Sequence, residues 1–207
     1  MRLVGMRVGI LALQGGAAEH ERALRRCNND ISTVLIRRTS DLHALDGMIL
    51  PGGESTVQRR LLLRTGMTAP LQQVVREGLP VWGTCAGLIL LAGRISSGET
   101  PVLGTMDIVV ERNRYGSQLH SFREYVRVEG LPGEAFPAVF IRAPGIRSWG
   151  SSVEILARSS GVPVALRQKH MLATAFHPEL TDDLRMHRLF IAMAAAQAQA
   201  CSSCAWQ

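Results

Sequence analysis

Through the first half of the chain, short apolar runs alternate with amphipathic stretches. "MRVGILAL", beginning at Met6, is nearly continuous in apolar residues, the pattern of a strand covered on both faces. "GGAAEHERALRRC" follows, with Ala18, Ala23 and Leu24 on one side of a helix and charges on the other. "STVLIR" reads as a second strand. Gly47 to Leu50 in "DGMILPGG" reads as a third, stopped by Pro51 and two glycines. "STVQRRLLLRTG" and "TAPLQQVVREG" predict helices, "LPVWGTC" a fourth strand and "AGLILLAG" the helix behind it. Strands and helices alternating through short loops predict a parallel sheet with helices on both faces.

The second half has a different rhythm. "MDIVVER", "YVRVEG", "AVFIRA", "VEILAR", "PVALRQ" and "MLATAFH" are short β-rich runs separated by turn residues. They predict antiparallel additions and a return of the chain to the sheet. "DDLRMHRLFIAMAAAQAQA" predicts a closing amphipathic helix, with Asp182 and Asp183 at the positive end of its dipole. The expected fold is α/β: three α/β/α layers around a mostly parallel central sheet with antiparallel additions. One domain spans 1–207, and about 199–207 are expected to form a loose tail.

Composition narrows the classes of function. The chain has 207 residues, 46% of them hydrophobic, enough for a sizeable core and too apolar for disorder. No apolar run is long enough to span a bilayer. "MRLVGMRVGILALQ" starts basic, yet its apolar part is only Val8 to Leu13, so it reads as a strand and not as a leader. A cytoplasmic protein without membrane contact is expected. The four cysteines, Cys27, Cys85, Cys201 and Cys204, do not suggest a disulfide framework in such a compartment. The C-x-x-C of Cys201 and Cys204 has no second Cys/His pair near it and reads as incidental; no metal site is expected. The net charge of +6 is mostly arginine, scattered in groups such as Arg25-Arg26, Arg37-Arg38 and Arg59-Arg60. With only 5% aromatic residues there are few stacking platforms for nucleic acid, so a solvated basic surface is expected.

Open α/β sheets bind ligands at the carboxyl ends of their parallel strands. Three loops fall there: Pro51-Gly-Gly-Glu-Ser55, Gly83-Thr-Cys-Ala-Gly87 and His177-Pro-Glu179. Cys85, between glycines at a strand-to-helix elbow, has the setting of an exposed nucleophile. Free N–H groups at the helix start favour an anion there. Alone, the motif equally suits a buried structural cysteine at a tight helix–strand contact. His177 could serve as the base, held out of a helix by Pro178. Glu179, two residues on in an extended segment, would face the same side and orient the ring. The Gly52-Gly53 backbone and the Ala86 N–H could form an oxyanion hole. Each loop alone could be an ordinary turn. The three together, at three strand ends, read as one catalytic site.

These residues, in this order, resemble the class I (triad) glutamine amidotransferases. "GILALQGGAAEH", "ILPGGEST", "GTCAGLILLA", "VERNRYGSQ", "FIRAP" and "FHPELTDD" resemble in particular the glutaminase subunits of ribose-phosphate-dependent pyridoxal 5′-phosphate synthases. The resemblance runs from about Val8 into the last helix. It implies that Cys85 attacks the side-chain amide of L-glutamine, that His177 moves the proton and that Glu179 orients His177. It implies a glutamine site lined by Gly53, Glu54, Ser55, Arg112, Ile141 and Arg142. An arginine there offers a planar, bidentate match to a carboxylate. Gln14 would couple docking of the synthase subunit to formation of the oxyanion hole. Ammonia would pass to that subunit, and this chain would need no metal or organic cofactor. There are departures: Ser121-Phe122-Arg123 stands where the family has an acidic residue, with Glu124 one place later. The segments 96–100 and 145–150 and the tail "CSSCAWQ" carry no family feature. A glutaminase of imidazole or nucleotide synthesis, and a non-catalytic regulatory module, are the alternatives at this point.

Overall fold

The computed structural model describes residues 5–112 and 121–204, the side chains of 200–204 excepted. The "NRYGSQ" part of the "VERNRYGSQ" motif and His120 lie outside the described residues. The chain begins with β1 (Arg7–Leu11), α1 (Ala17–Cys27), β2 (Ser32–Ile36) and β3 (Gly47–Leu50). Helices α2 (Ser55–Arg64) and α3 (Thr68–Arg76) lead to β4 (Val81–Thr84) and α4 (Ala86–Leu91). Strands β5 (Ala92–Ile95), β6 (Met106–Glu111), β7 (Ser121–Val126), β8 (Phe136–Ile141) and β9 (Gly145–Trp149) follow. The chain closes with β10 (Glu154–Ser159), β11 (Val162–Gln168), β12 (Met171–Thr174) and α5 (Arg185–Cys204).

Seven strands form the central sheet in the order β10-β11-β12-β4-β3-β1-β2. From β12 to β2 all neighbours are parallel, and β10 and β11 extend one edge antiparallel. The expected mostly parallel sheet with antiparallel additions is therefore present. The parallel strands read as apolar runs because both faces are covered: every residue of β3, β4 and β12 is buried. The chain moves one way from β1 to β2 and the other way from β3 to β4. Right-handed crossovers then place α1 and α2/α3 on opposite faces. α5 joins α1, its Phe190 and Ala194 closing on Gly47 of β3. Two small sheets, β5-β6-β9 and β7-β8, accompany the main one.

Several local expectations need correction. Helix α1 buries Ala17, His20, Ala23 and Leu24, while Ala18 is exposed. The "AGLILLAG" segment is helical only to Leu91, and Ala92–Ile95 becomes β5. The reason is tertiary. The Leu90 and Leu91 carbonyls, orphaned at the helix end, accept N–H bonds from Leu103 (2.9 Å) and Thr105 (3.0 Å). Residues 145–149 form β9, paired antiparallel with β6. The strand expected over "YVRVEG" ends at Val126, and the Glu129 N–H instead reaches Leu156 O at 2.7 Å. Helix α5 runs through Cys204. Among the described residues no helix is long and apolar enough to cross a membrane. Several arginines are paired on the surface: Arg25 with Glu21, Arg26 with Asp182 and Arg38 with Asp41.

Candidate active site

The carboxyl ends of β1, β3, β4 and β12 lie side by side in the sheet. Register aligns Leu50 with Gly83, and Thr174 with Thr84. The loops after these strands therefore converge. Cys85, directly after β4, has φ 47° and ψ −101°, a strained conformation for a residue with a side chain. It is held there from both sides. A Cβ on Gly83 would come within 2.5 Å of the Gly87 carbonyl oxygen. A Cβ on Gly87 would overlap the Leu50 carbonyl oxygen. The two glycines thus let α4 turn back tightly against β3 and β4, with Cys85 at the apex. The Cys85 N–H donates to Thr174 O (2.8 Å), and the thiol is directed at Ile141 O, 3.8 Å away.

His177 follows β12, and its N–H donates to Val139 O (2.8 Å). Its Nδ1 is 2.7 Å from Glu179 Oε1, and both side chains are buried. The segment Pro178–Leu180 is a 3-10 turn and not extended, so the turn, and not strand alternation, brings the carboxylate to the ring. Burial acts to lower the His177 pKa. Interaction with the Cys85 sulfur and with Glu179 outweighs it and lifts the value to about 10. Burial likewise acts against the Glu179 carboxylate, but His20 and His177 hold its pKa below the ordinary range.

Gly52 fits between this pair and the cysteine: a Cβ there would overlap the His177 ring and lie 3.4 Å from Cys85 Cβ. Its N–H is committed to Thr84 Oγ1 (2.9 Å) and its carbonyl to the Gly16 N–H (3.0 Å). Gly53 lines the cavity, as does Ala86, whose N–H at the start of α4 has no intrahelical acceptor. Gln14 braces this loop. Its Oε1 accepts the Glu54 N–H (2.9 Å), and its carbonyl accepts from Gln58 Nε2 (3.0 Å).

A cavity of about 230 Å³ opens over Cys85 and His177. Its wall includes Gln14, Gly53, Glu54, Ser55, Ala86, Arg112, Ile141 and Arg142, so it gathers the residues singled out from the sequence except Gly52 and Glu179, which lie behind it. Glu54 caps α2 and Ser55 begins it. The Arg112 guanidinium is held by Glu99 (2.8 and 2.9 Å) and approached by Glu54 (3.6 Å). Arg142 takes φ 44° at the rim, with its side chain exposed. Glu99 was not singled out from the sequence. Nor were the groups behind Glu179: His20 Nε2 lies 3.4 Å from Glu179 Oε2 and 3.2 Å from Thr84 Oγ1, and His20 Nδ1 lies 3.1 Å from His187 Nε2. The available signal was a histidine on an apolar helix face. His20 is three residues from both Ala17 and Ala23, and His187 three from Phe190.

The fold is a doubly wound α/β sheet that brings a cysteine elbow, a His–Glu pair and a glycine loop together at adjacent strand ends, the arrangement and residue types of an α/β class of enzyme with a nucleophile elbow. The chain belongs to the SNO glutamine amidotransferase family, which it matches over residues 10–196. It is 51% identical over 187 residues to the "Pyridoxal 5'-phosphate synthase subunit PdxT" of Parafrankia sp. (strain EAN1pec), covering 89% of this chain and 91% of that one. It is 49% identical to the protein of the same name from Geobacillus thermodenitrificans (strain NG80-2), covering 91% of this chain and 95% of the other. Among solved structures, one described as a glutamine amidotransferase superposes with a TM-score of 0.84 at 45% identity, covering 91% of this chain and 98% of that one.

Proposed function

We propose that this chain hydrolyses L-glutamine to L-glutamate and ammonia, and hands the ammonia to the synthase subunit of a pyridoxal 5′-phosphate synthase. The observation that carries the reading is the meeting of the Cys85 elbow with the His177–Glu179 pair beside one cavity. The names borne by the relatives favour this synthase over imidazole or nucleotide synthesis.

In this reading the thiol proton of Cys85 passes to His177, where the pKa raised to about 10 keeps it near neutral pH, and the sulfur attacks the amide carbon of glutamine. The carbonyl π electrons move to oxygen, and the oxyanion is met by the N–H of Ala86 and by the glycine loop. The proton on His177 passes to the amide nitrogen, the C–N bond breaks and ammonia leaves. Water, deprotonated by His177, then opens the thioester to give glutamate and restore the thiol. Glu179 keeps Nδ1 protonated, so that Nε2 is the atom that exchanges the proton. Ser55, Arg112, Ile141 and Arg142 enclose the amino-acid end of the substrate. Gly52 donates its N–H to Thr84 here, so the glycine loop rearranges to complete the hole. Gln14, bonded to that loop, couples the rearrangement to docking of the synthase subunit.

The test is ammonia release from glutamine by the chain assembled with a pyridoxal 5′-phosphate synthase subunit. Cys85→Ala and His177→Asn should each abolish release, and Glu179→Gln should reduce it less. An electrophilic glutamine analogue should label Cys85 in the assembly. Normal release by either of the first two variants would refute the reading.

A further inference from the structure

Behind the His177–Glu179 pair lies a chain of buried polar groups that the proposed reaction does not use. Glu179 Oε2 is buried, and among the described residues no group gives it a well-formed hydrogen bond. His20 Nε2 lies 3.4 Å from it. His20 is fully buried on α1, and its other ring nitrogen is 3.1 Å from Nε2 of His187, fully buried on α5. Trp82 closes on both rings edge-on, at 5.6 and 5.0 Å between centroids.

The protonation of this chain follows from its ends. His187 Nδ1 is buried without a partner among the described residues. A buried N–H left unpaired costs its full desolvation, so that nitrogen carries the lone pair. His187 then holds its proton on Nε2 and donates it to His20 Nδ1. His20 in turn holds its proton on Nε2, which faces the Glu179 carboxylate and Thr84 Oγ1. The reverse arrangement would aim a lone pair at the carboxylate and strand a donor on His187. Both rings are neutral, because burial holds the pKa of each below the ordinary histidine value. The Thr84 hydroxyl that meets His20 also accepts the Gly52 N–H.

We infer that His20 is a positioning residue for the proposed glutaminase site: a neutral Nε2–H tautomer, set by His187, that faces the outer oxygen of Glu179 and meets, through Thr84, the Gly52 amide in its resting position. One ring thereby ties the group that orients the base to the loop of the oxyanion hole. The role rests on the glutaminase reading, whereas the tautomer does not.

The experiment uses the full chain with 15N-labelled histidine, free and assembled with a pyridoxal 5′-phosphate synthase subunit. Around neutral pH, the 15N shifts of His20 and His187 should both be those of neutral Nε2–H rings. In the assembly His20→Leu should lower kcat about three- to ten-fold, the worth of one neutral hydrogen bond, here to Thr84, together with a long contact to the Glu179 carboxylate. KM should stay unchanged, because His20 does not line the cavity. His20→Gln, whose amide N–H can reach the place of Nε2, should recover most of the loss. An Nδ1–H tautomer at His20 overturns the assignment, as does an unchanged kcat in His20→Leu. Should His20→Leu fail to fold, the wild-type shifts decide the tautomer, and His20→Asn, whose shorter amide cannot reach the place of Nε2, replaces His20→Leu in the kcat comparison, an unchanged kcat again overturning the role. If the wild-type assembly releases no ammonia, the glutaminase reading and the positioning role fall together, and the shifts still decide the tautomer.

Discussion

Gly87 and Leu50 approach so closely that a side chain on the glycine would occupy the place of the Leu50 carbonyl oxygen. That contact presses α4 onto β3 and leaves Cys85 no relaxed backbone conformation. The carbonyl belongs to a strand buried on both faces and has no room to withdraw. Gly87→Ala should therefore destabilise the chain by about 1–3 kcal/mol, the usual cost of overpacking, and more if the sheet is forced open. The midpoint of urea unfolding measures it. Alkylation of Cys85 should slow in the same variant, since the elbow moves with α4. An unchanged midpoint would show that the backbone yields without cost.

The pH dependence of stability should have two limbs of opposite sign. His177 titrates at about 10 when folded, against an ordinary 6.5. The stability it contributes is fully present below 6.5 and is lost as pH rises through about 10. His20 and His187 are shifted the other way, below 6.5. Their contribution is present above 6.5 and is lost as pH falls through their folded values. Glu179, also depressed, adds to the acid limb, its contribution being present above 4.5 and lost as pH falls further. Unfolding free energies across the pH range should thus peak near neutrality. Glu179→Gln should flatten the alkaline limb by taking from His177⁺ the carboxylate that stabilises it. An alkaline limb of unchanged slope in that variant would contradict the assignment.

The same residues show what the sequence makes legible. Gly47–Leu50 and the Cys85 elbow are local: an apolar run stopped by Pro51, and a cysteine between glycines, carry their meaning within a few residues. The convergence of the three loops also follows, because strand–helix alternation puts all parallel strand ends on one edge. What was hidden depends on partners distant in sequence. β5 and β9 exist because β6 lies between them, and Ala92–Ile95 has no alternation of its own. The geometry of Glu179 comes from a 3-10 turn that no apolar period announces. His20 and His187 were legible as polar residues on apolar faces, yet their meeting depends on α1 packing against α5. Taking Ala18 for the buried position, where the structure buries Ala17, turns that face and hides the histidine.

Arg112 gives a last prediction, because its two acidic neighbours are not equivalent. Glu54 lines the cavity and reaches the guanidinium at 3.6 Å, whereas Glu99 lies outside the cavity wall and holds it at 2.8 and 2.9 Å. Glu99 therefore fixes where Arg112 points without touching the space above Cys85. In a partly exposed pair such a clamp is worth about 1 kcal/mol or less. Glu99→Gln should then raise the KM for glutamine a few-fold and leave kcat alone. Arg112→Lys should raise it further, since an ammonium cannot bridge both acids with a planar fork. Steady-state kinetics in the assembly with the synthase subunit separates the two constants. A fall in kcat for Glu99→Gln at constant KM would mean that Arg112 acts on the reacting amide rather than on the position of the substrate.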